Sequence, residues 1–414
     1  MANIIKLPQL AWHDTKALEV TFPDAWQVEV CNMAGYDRPA MSLDGIKAAI
    51  AAPIGTPPIK ELARGKKDVV IVFDDMSRVT RVAQIVPFVL EELAEAGIAD
   101  NHIRFVPALG CHGAMNRIDF IRKLGEDTVS RFPVYNHNAF GNCDYVGTTS
   151  YGTRVCVNGE VMRCDLKIAI GSIVPHIFSG YGGGAKIVMP GITSIETTEA
   201  FHRSGKKIKD ENPDVPMGIG IYEDNPLRFD MEEAVELAGL DVKIDCIYNM
   251  WGETVDIFAG AVKQVHAAGV AVAKTHYLTP RAVDMDIVIA NSFAKANEAE
   301  GGMITAIPSV SSKGGDIIVI GNVPEGHVVH YLMGPFGTSI GGNLRFKLPV
   351  PPNVNHVILF NEYMDLTALG YFEVPEKVVT MSKWDDVVRF LEQTHGADTK
   401  VAVYPNSEVQ YCAS

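Results

Sequence analysis

Short β-branched runs that end in a polar residue or a glycine, separated by segments of helical character, restrict this chain more than any other feature. Residues 67–75 read KKDVVIVFD, and EELAEAG from 91 reads as the end of a helix stopped by Gly97. The apolar run recurs in HIRFVPALG (102–110) and DLKIAIG (165–171), and later in VDMDIVIANS (283–292) and GGDIIVIGN (314–322). Strands without polar alternation are buried on both faces, so the pattern predicts an α/β fold with mostly parallel sheets covered by helices. A chain of 414 residues exceeds what one core usually supports, which points to two such domains. The pattern changes across 246–276, a turn followed by a helix-like segment, and a boundary is expected near 270–280. The expected division is therefore 1–272 and 273–414.

Asp75, His112 and His176 each fall at or just after the carboxyl end of an expected strand, where open α/β sheets gather ligands. Three strands then aim at one crevice. The formal charge of −14, with no lysine and arginine run interleaved with aromatics, argues against a nucleic-acid partner. The basic cluster HRSGKKIKD (202–210) reads as an exposed loop, with a contact to a phosphate-bearing ligand as the alternative. Seven cysteines without a CxxC pair read as reduced thiols of a cytoplasmic protein. The start, MANIIKLPQLAWHD, lacks the apolar run of a signal peptide, and no stretch is long enough to span a bilayer, so no membrane partner is expected.

The segment PHIFSGYGGGAKIVMPG (175–191) sets Lys186 beside a glycine ribbon. A phosphate-binding P-loop would need GK followed by Ser or Thr, whereas Ala185 precedes Lys186 and Ile187 follows it. Gly180, Gly182 and Ala185 match a dinucleotide fingerprint by spacing, yet SIVPHIFSG intervenes after the strand that should feed it directly. Glycines allow tight turns and close backbone approach to a ligand, and the lysine beside them could be a salt-bridge partner, a phosphate contact or a nucleophile. His112, His176 and His202 sit in polar or glycine-adjacent contexts suited to proton exchange or metal ligation. Neither HExxH nor a cysteine pair is present, so a bound metal would draw most of its ligands from elsewhere, for instance from a cofactor held by the lysine. In DDMSR (74–78), Arg78 suits bidentate recognition of a carboxylate or phosphate with Asp75 beside it, against an N-cap and a surface arginine as the plain alternative. Lys295, ending NSFAK, either reaches the same anion or is solvated.

The pieces DMSR (75–78), GCH (110–112), PHIFSGYGGGAKIVMPGI (175–192) and the downstream His202, in this order, resemble the lactate racemase family, whose members use a nickel-pincer nucleotide. The resemblance runs over essentially the whole chain and thins after about residue 300. It implies an active site in the interdomain cleft, with the N-terminal domain binding the cofactor and the C-terminal domain closing over the substrate. It further implies a thioamide link from Lys186 to a pyridinium-3-thioamide-5-thiocarboxylic acid mononucleotide. Nickel would be held by that ring and by His202, with Gly182, Gly183 and Gly184 letting the cofactor lie against the backbone and Asp75 near it. By the same likeness His112 and His176 are the paired acid/base residues, and Arg78 and Lys295 hold the substrate carboxylate. The implied activity is inversion of C2 of a 2-hydroxy acid by reversible hydride transfer through a transient 2-keto acid, with proteins that make or deliver the cofactor as further partners.

Three positions depart from the family pattern: Gly113 where an arginine is usual, Val79 where a proline is usual, and Ser292 where a glutamine often precedes the lysine by three. All three surround the expected substrate, which makes C2 epimerisation of a longer sugar acid, an aldonate, the close alternative. A noncatalytic cofactor-binding homologue and an NAD-dependent dehydrogenase are the readings from other classes. Trp251 and Trp384 are candidates for stacking on the cofactor ring, although a core position is the commoner fate of tryptophan.

Overall fold

The structure, a computed structural model, describes residues 3–344 and 347–412, and the chain divides into two compact units. One comprises Arg38–Asn249 and Glu253–Lys274; the other comprises Met1–Asp37, Met250–Gly252 and Thr275–Ser414. Both are α/β.

The first unit is built on a five-stranded sheet in the spatial order Thr254–Gly260, Val242–Tyr248, Leu166–Ser172, Val69–Asp74, Ile103–Ala108. All neighbours are parallel except the first pair, which is an antiparallel edge. Every residue of Val69–Asp74 is buried, and the period of two sorts its side chains. Val69, Ile71 and Phe73 join the cluster with Val86, Val89 and Phe105 on one face, while Val70 and Val72 join Ala169, Ile187 and Val188 on the other. The helix Val82–Glu95 covers the first face and stops, as expected, just before Gly97, whose φ is 84°. After Val69–Asp74 the chain moves outward to Ile103–Ala108 and then returns to the other side of the first strand as Leu166–Ser172. The carboxyl ends of Val69–Asp74 and Leu166–Ser172 therefore flank a topological switch point.

Segment 246–276 corrects its sequence reading: the strand Thr254–Gly260 precedes the helix Val262–His276. The cluster at 202–210 is also not a loop. It lies on the helix Ile195–Glu211, started by Ser194, whose hydroxyl accepts from the Thr197 amide, and held by buried Ile195 and Phe201. Glu199 pairs with Arg203 and Glu211 with Lys207 at 3.7 Å, so these two exposed basic residues each have an acidic partner one turn away.

The second unit carries six parallel strands in the order Val378–Met381, Val354–Phe360, Gly315–Ile320, Ile287–Asn291, Lys400–Tyr404, Gln27–Val30. Residues 1–37, expected in the first domain, belong here because Gln27–Val30 pairs with Lys400–Tyr404, Gln27 opposite Lys400. No local pattern announces a partner that far along the chain. Trp384 is a core residue of this unit: it is 8% exposed, meets Phe22 and Phe360 edge to face, and donates its indole N–H to the Thr21 carbonyl at 2.9 Å. Trp251 is half-buried in the Met250–Gly252 segment of the same unit. All seven cysteines are free thiols, and among the described residues no helix is long and apolar enough to cross a membrane.

Candidate active site

The switch point of the first sheet begins with two adjacent aspartates that face different partners. Asp74, at the strand end, pairs with the fully buried Lys123 at 2.7 Å and accepts from the Thr80 hydroxyl. The same ammonium donates to the backbone carbonyls of Asp75 at 2.9 Å and Arg78 at 2.8 Å, so one lysine ties down the whole turn. Asp75 is thereby aimed away from Asp74. Its Oδ1 accepts from the Ser77 amide at 3.0 Å, and its Oδ2 accepts from His112 Nδ1 at 2.6 Å. Burial alone would raise the Asp75 pKa, but His112, Ser77 and Arg78 together outweigh it and hold the carboxyl well below the usual range. Asp75 is thus anionic, and His112 carries its ring proton on Nδ1, with the lone pair on Nε2. Arg78 is half-buried, and its guanidinium donates to the Ser77 carbonyl at 2.7 Å.

Beyond Leu166–Ser172 the chain makes a short ladder in which His176 opposes Gly180 and Pro175 opposes Tyr181. The ribbon then enters a 3-10 turn, Gly184–Ile187, which carries Lys186. What holds this ribbon was not legible as a motif. Asp245 and Lys243, both 0% exposed, form an ion pair at 2.6 Å beneath it, and Asp245 accepts the Gly184 amide at 2.7 Å. His266 Nε2 lies 3.0 Å from the Gly182 carbonyl, and burial pushes the His266 pKa down. The only hint in the sequence is the run VKIDCIY (242–248), a strand in which two charged side chains occur among wholly buried neighbours.

The three glycines divide in role. A Cβ at Gly183, where φ is 80°, would stand 2.9 Å from the Ser172 carbonyl oxygen, and one at Gly184 would stand 2.5 Å from His266. Both glycines are demanded by the protein's own packing, not only by a ligand. Gly182 differs: its Cβ would meet nothing closer than Val174 Cγ2 at 3.5 Å, with Lys186 Cδ at 4.0 Å. The lysine stem lies over the one glycine of the three that packing and backbone do not require.

His202 sits on the helix Ile195–Glu211, half-buried, with Nδ1 donating to the Thr198 carbonyl at 2.7 Å. Burial pushes its pKa down to about 4; the Thr198 carbonyl opposes this, while the positive charges of Lys186 and His112 add to it. A neutral imidazole with its Nδ1–H committed to a carbonyl presents an Nε2 lone pair, which is how histidine is prepared to ligate a metal. Asp75, His112, Lys186 and His202 are therefore neighbours within one unit. Ser172 Oγ, buried at the strand end, has no hydrogen-bond partner there. The residues fit a lysine-tethered, metal-bearing group: a ligating nitrogen, a lysine, an undemanded glycine and an orphan hydroxyl.

His176 lies in the same unit, with Nδ1 facing the amides of Phe178 and Ser179. Lys295 belongs to the second unit, where it precedes the 3-10 helix Ala296–Gly302 and pairs with Glu298 at 2.8 Å. It is 24% exposed and ion-paired, so it is not the solvated lysine of the alternative reading. Ser292, singled out in the sequence, donates to Glu408 at 3.3 Å; Glu408 was missed, as was the contact of His327 with Glu300 at 2.9 Å.

Residues 13–213 match the lactate racemase N-terminal domain. The chain is 31% identical over 291 residues to lactate racemase of Thermoanaerobacterium thermosaccharolyticum, spanning 69% of this chain and 66% of that protein. It is 30% identical over 305 residues to lactate racemase of Lactiplantibacillus plantarum, spanning 72% and 70%. The solved lactate racemase apoprotein from T. thermosaccharolyticum superposes with a TM-score of 0.71 at 23% identity, over 99% of this chain and 100% of that one. A Thermotoga maritima protein does so at 0.66 and 18%, over 91% and 100%. These two likenesses carry the fold, and the sequence matches carry the descent: the chain belongs to the lactate racemase family.

Proposed function

We propose that this chain inverts C2 of a 2-hydroxy acid through a transient 2-keto acid, as a racemase or epimerase whose nickel-pincer nucleotide is carried on Lys186 and ligated by His202. When bound, that group supplies an acceptor and donor of hydride, which is needed because the Cα hydrogen of a 2-hydroxy acid is too weakly acidic for imidazole to remove as a proton. The chain's residues do the rest. His112, with Nδ1–H on Asp75, takes or returns the substrate hydroxyl proton at Nε2, and His176 does so for the opposite enantiomer. Arg78, whose fork is oriented by the Ser77 carbonyl, holds the substrate carboxylate.

The observation that carries this reading is His202, neutral and with Nε2 available, beside the positive charge of Lys186. The test is the intact mass and nickel content of the protein made in a host that assembles the pincer cofactor, then loss of optical rotation with 2-hydroxy acids. An adduct on the Lys186 peptide with nickel and inversion is the expected result. An unmodified peptide, with a known family member loaded in the same host, overturns it. Loading without inversion of any 2-hydroxy acid would leave a cofactor-binding homologue.

A further inference from the structure

Asp75, Ser77 and Arg78 lie in one tight turn, closed by the Arg78 amide on the Asp75 carbonyl at 3.3 Å. Inside it Asp75 Oδ1 accepts the Ser77 amide at 3.0 Å, an Asx turn that folds the carboxylate back over residue 77. Ser77, 2% exposed, is then caught between the two groups on which the proposed reaction depends. Its hydroxyl is hydrogen-bonded to Asp75 Oδ1 on one side and lies 3.1 Å from Arg78 Nη1 on the other.

The direction of each bond follows from the groups themselves. A guanidinium only donates, and an ionised carboxylate only accepts. Ser77 Oγ therefore accepts from Arg78 and gives its single proton to Asp75 Oδ1, while Asp75 Oδ2 accepts from His112 Nδ1 at 2.6 Å. The carboxylate is thus held from both ends, by the serine on one oxygen and by the imidazole on the other. Among the described residues both hydrogen bonds of the Arg78 guanidinium leave from Nη1 and end on Ser77, at its carbonyl and its hydroxyl. The edge made by Nε and Nη2 remains, and that edge suits a carboxylate gripped side-on.

We propose that Ser77 is a positioning residue for both halves of the reaction: its hydroxyl fixes the Asp75 carboxylate that orients His112, and it turns Arg78 so that the Nε–Nη2 edge takes the substrate carboxylate. This rests on the roles given above to His112 and Arg78. Ser77 keeps its proton throughout, and no proton passes along the chain of bonds. Without the hydroxyl, Asp75 Oδ1 keeps only an amide and Arg78 Nη1 only a carbonyl, so the acid/base orienter and the substrate anchor loosen together.

The first arm of the test needs no cofactor. NMR on the full chain with nitrogen-labelled histidine reads the His112 Nδ1–H, assigned by its loss in His112→Gln. A downfield Nδ1–H protected from exchange with water is expected in the wild type and in Ser77→Thr, which keeps the hydroxyl. Exchange faster by about 10-fold or more is expected in Ser77→Ala, the scale set by losing a hydrogen bond to a charged group. Unchanged exchange in Ser77→Ala, or no Nδ1–H on His112 in the wild type, overturns the proposal.

The second arm uses the loaded enzyme. Ser77→Ala is expected to lower kcat/KM by about 10- to 10²-fold, with kcat down, KM up and the Lys186 adduct normal. Added to Asp75→Asn it should cost little more in kcat, and added to Arg78→Lys little more in KM, because the same contacts are already broken. A serine with only a structural role gives additive losses, and additivity in either pair refutes the coupling. If Ser77→Ala does not fold, Ser77→Cys, whose thiol is a weak donor and acceptor of similar shape, takes its place in both arms. A loaded wild type that inverts no 2-hydroxy acid removes the functional reading, while the exchange comparison still decides whether Ser77 holds Asp75 on His112.

Discussion

Each sheet has a switch point, one between Val69–Asp74 and Leu166–Ser172 and the other between Ile287–Asn291 and Lys400–Tyr404, and the two are furnished differently. At the first, the charges that neutralise one another lie beneath the surface, in Lys243 with Asp245 and Lys123 with Asp74. That leaves Lys186, His202 and His112 above them, close enough for their charges to act on one another. At the second, the side chains at the crevice pair among themselves, Lys295 with Glu298 and His327 with Glu300. The same topology can therefore hold its compensating charge below the crevice or within it.

The sharpest way to break this comparison is to remove the lysine from each crevice. Lys186→Ala is expected to abolish the cofactor adduct, nickel retention and activity, whereas Lys295→Ala keeps adduct and nickel; intact mass and a nickel assay read both. A normal metal and cofactor content in Lys186→Ala would end the distinction.

Next in size is His112→Ala, which should retain the adduct while kcat falls by about 10²- to 10⁴-fold, the range for a positioned acid/base. Polarimetry on the loaded variant measures it, and activity near wild type would remove His112 from the pair.

Stability separates the two kinds of ion pair. Asp245→Ala leaves Lys243 buried and uncompensated and should cost about 3–5 kcal/mol in urea unfolding, whereas Glu298→Ala, at a more accessible pair, should cost under about 1 kcal/mol. Equal losses would mean that the floor under the ribbon is no different from the wall of the second crevice.

The last effect is a pH slope set by groups of the second unit. Glu300 raises the His327 pKa to about 9 against the opposing effect of burial. A folded-state pKa raised above the unfolded value of about 6.5 stabilises fully below that pH, and the contribution is lost as pH rises toward about 9. Glu408, raised by burial to about 8, acts with the same sign from lower pH. Urea midpoints should therefore fall across this range, and His327→Gln should flatten the part between about 6.5 and 9. An unaltered slope in that variant would assign it to other groups.

Much of the first sheet was legible because its strands are apolar on both faces and end in polar residues: KKDVVIVFD and DLKIAIG became Val69–Asp74 and Leu166–Ser172. The edge strand Thr254–Gly260 was not, since TVDIFAG interrupts the apolar run with Asp256 and is followed at once by a helix. Residues 1–37 were assigned to the wrong unit because Gln27–Val30 finds its partner at Lys400–Tyr404, and such pairing leaves no local trace. Among site residues, the motif around Lys186 stood out in the sequence, but Lys123, Lys243, Asp245 and His266 did not. A buried charge reads like a surface charge until its partner is known.

The sequence by itself determined the α/β class, the central motif and the residues able to exchange protons or ligate a metal, because hydrophobic period and residue chemistry are local. Only the tertiary structure decided which nitrogen of each imidazole carries the ring proton, since that depends on what faces Nδ1: Asp75 for His112, the Thr198 carbonyl for His202, and two amides with a serine hydroxyl for His176. Folding alone brings those partners within hydrogen-bond distance, and a ring has its chemistry set by whichever of them accepts or donates.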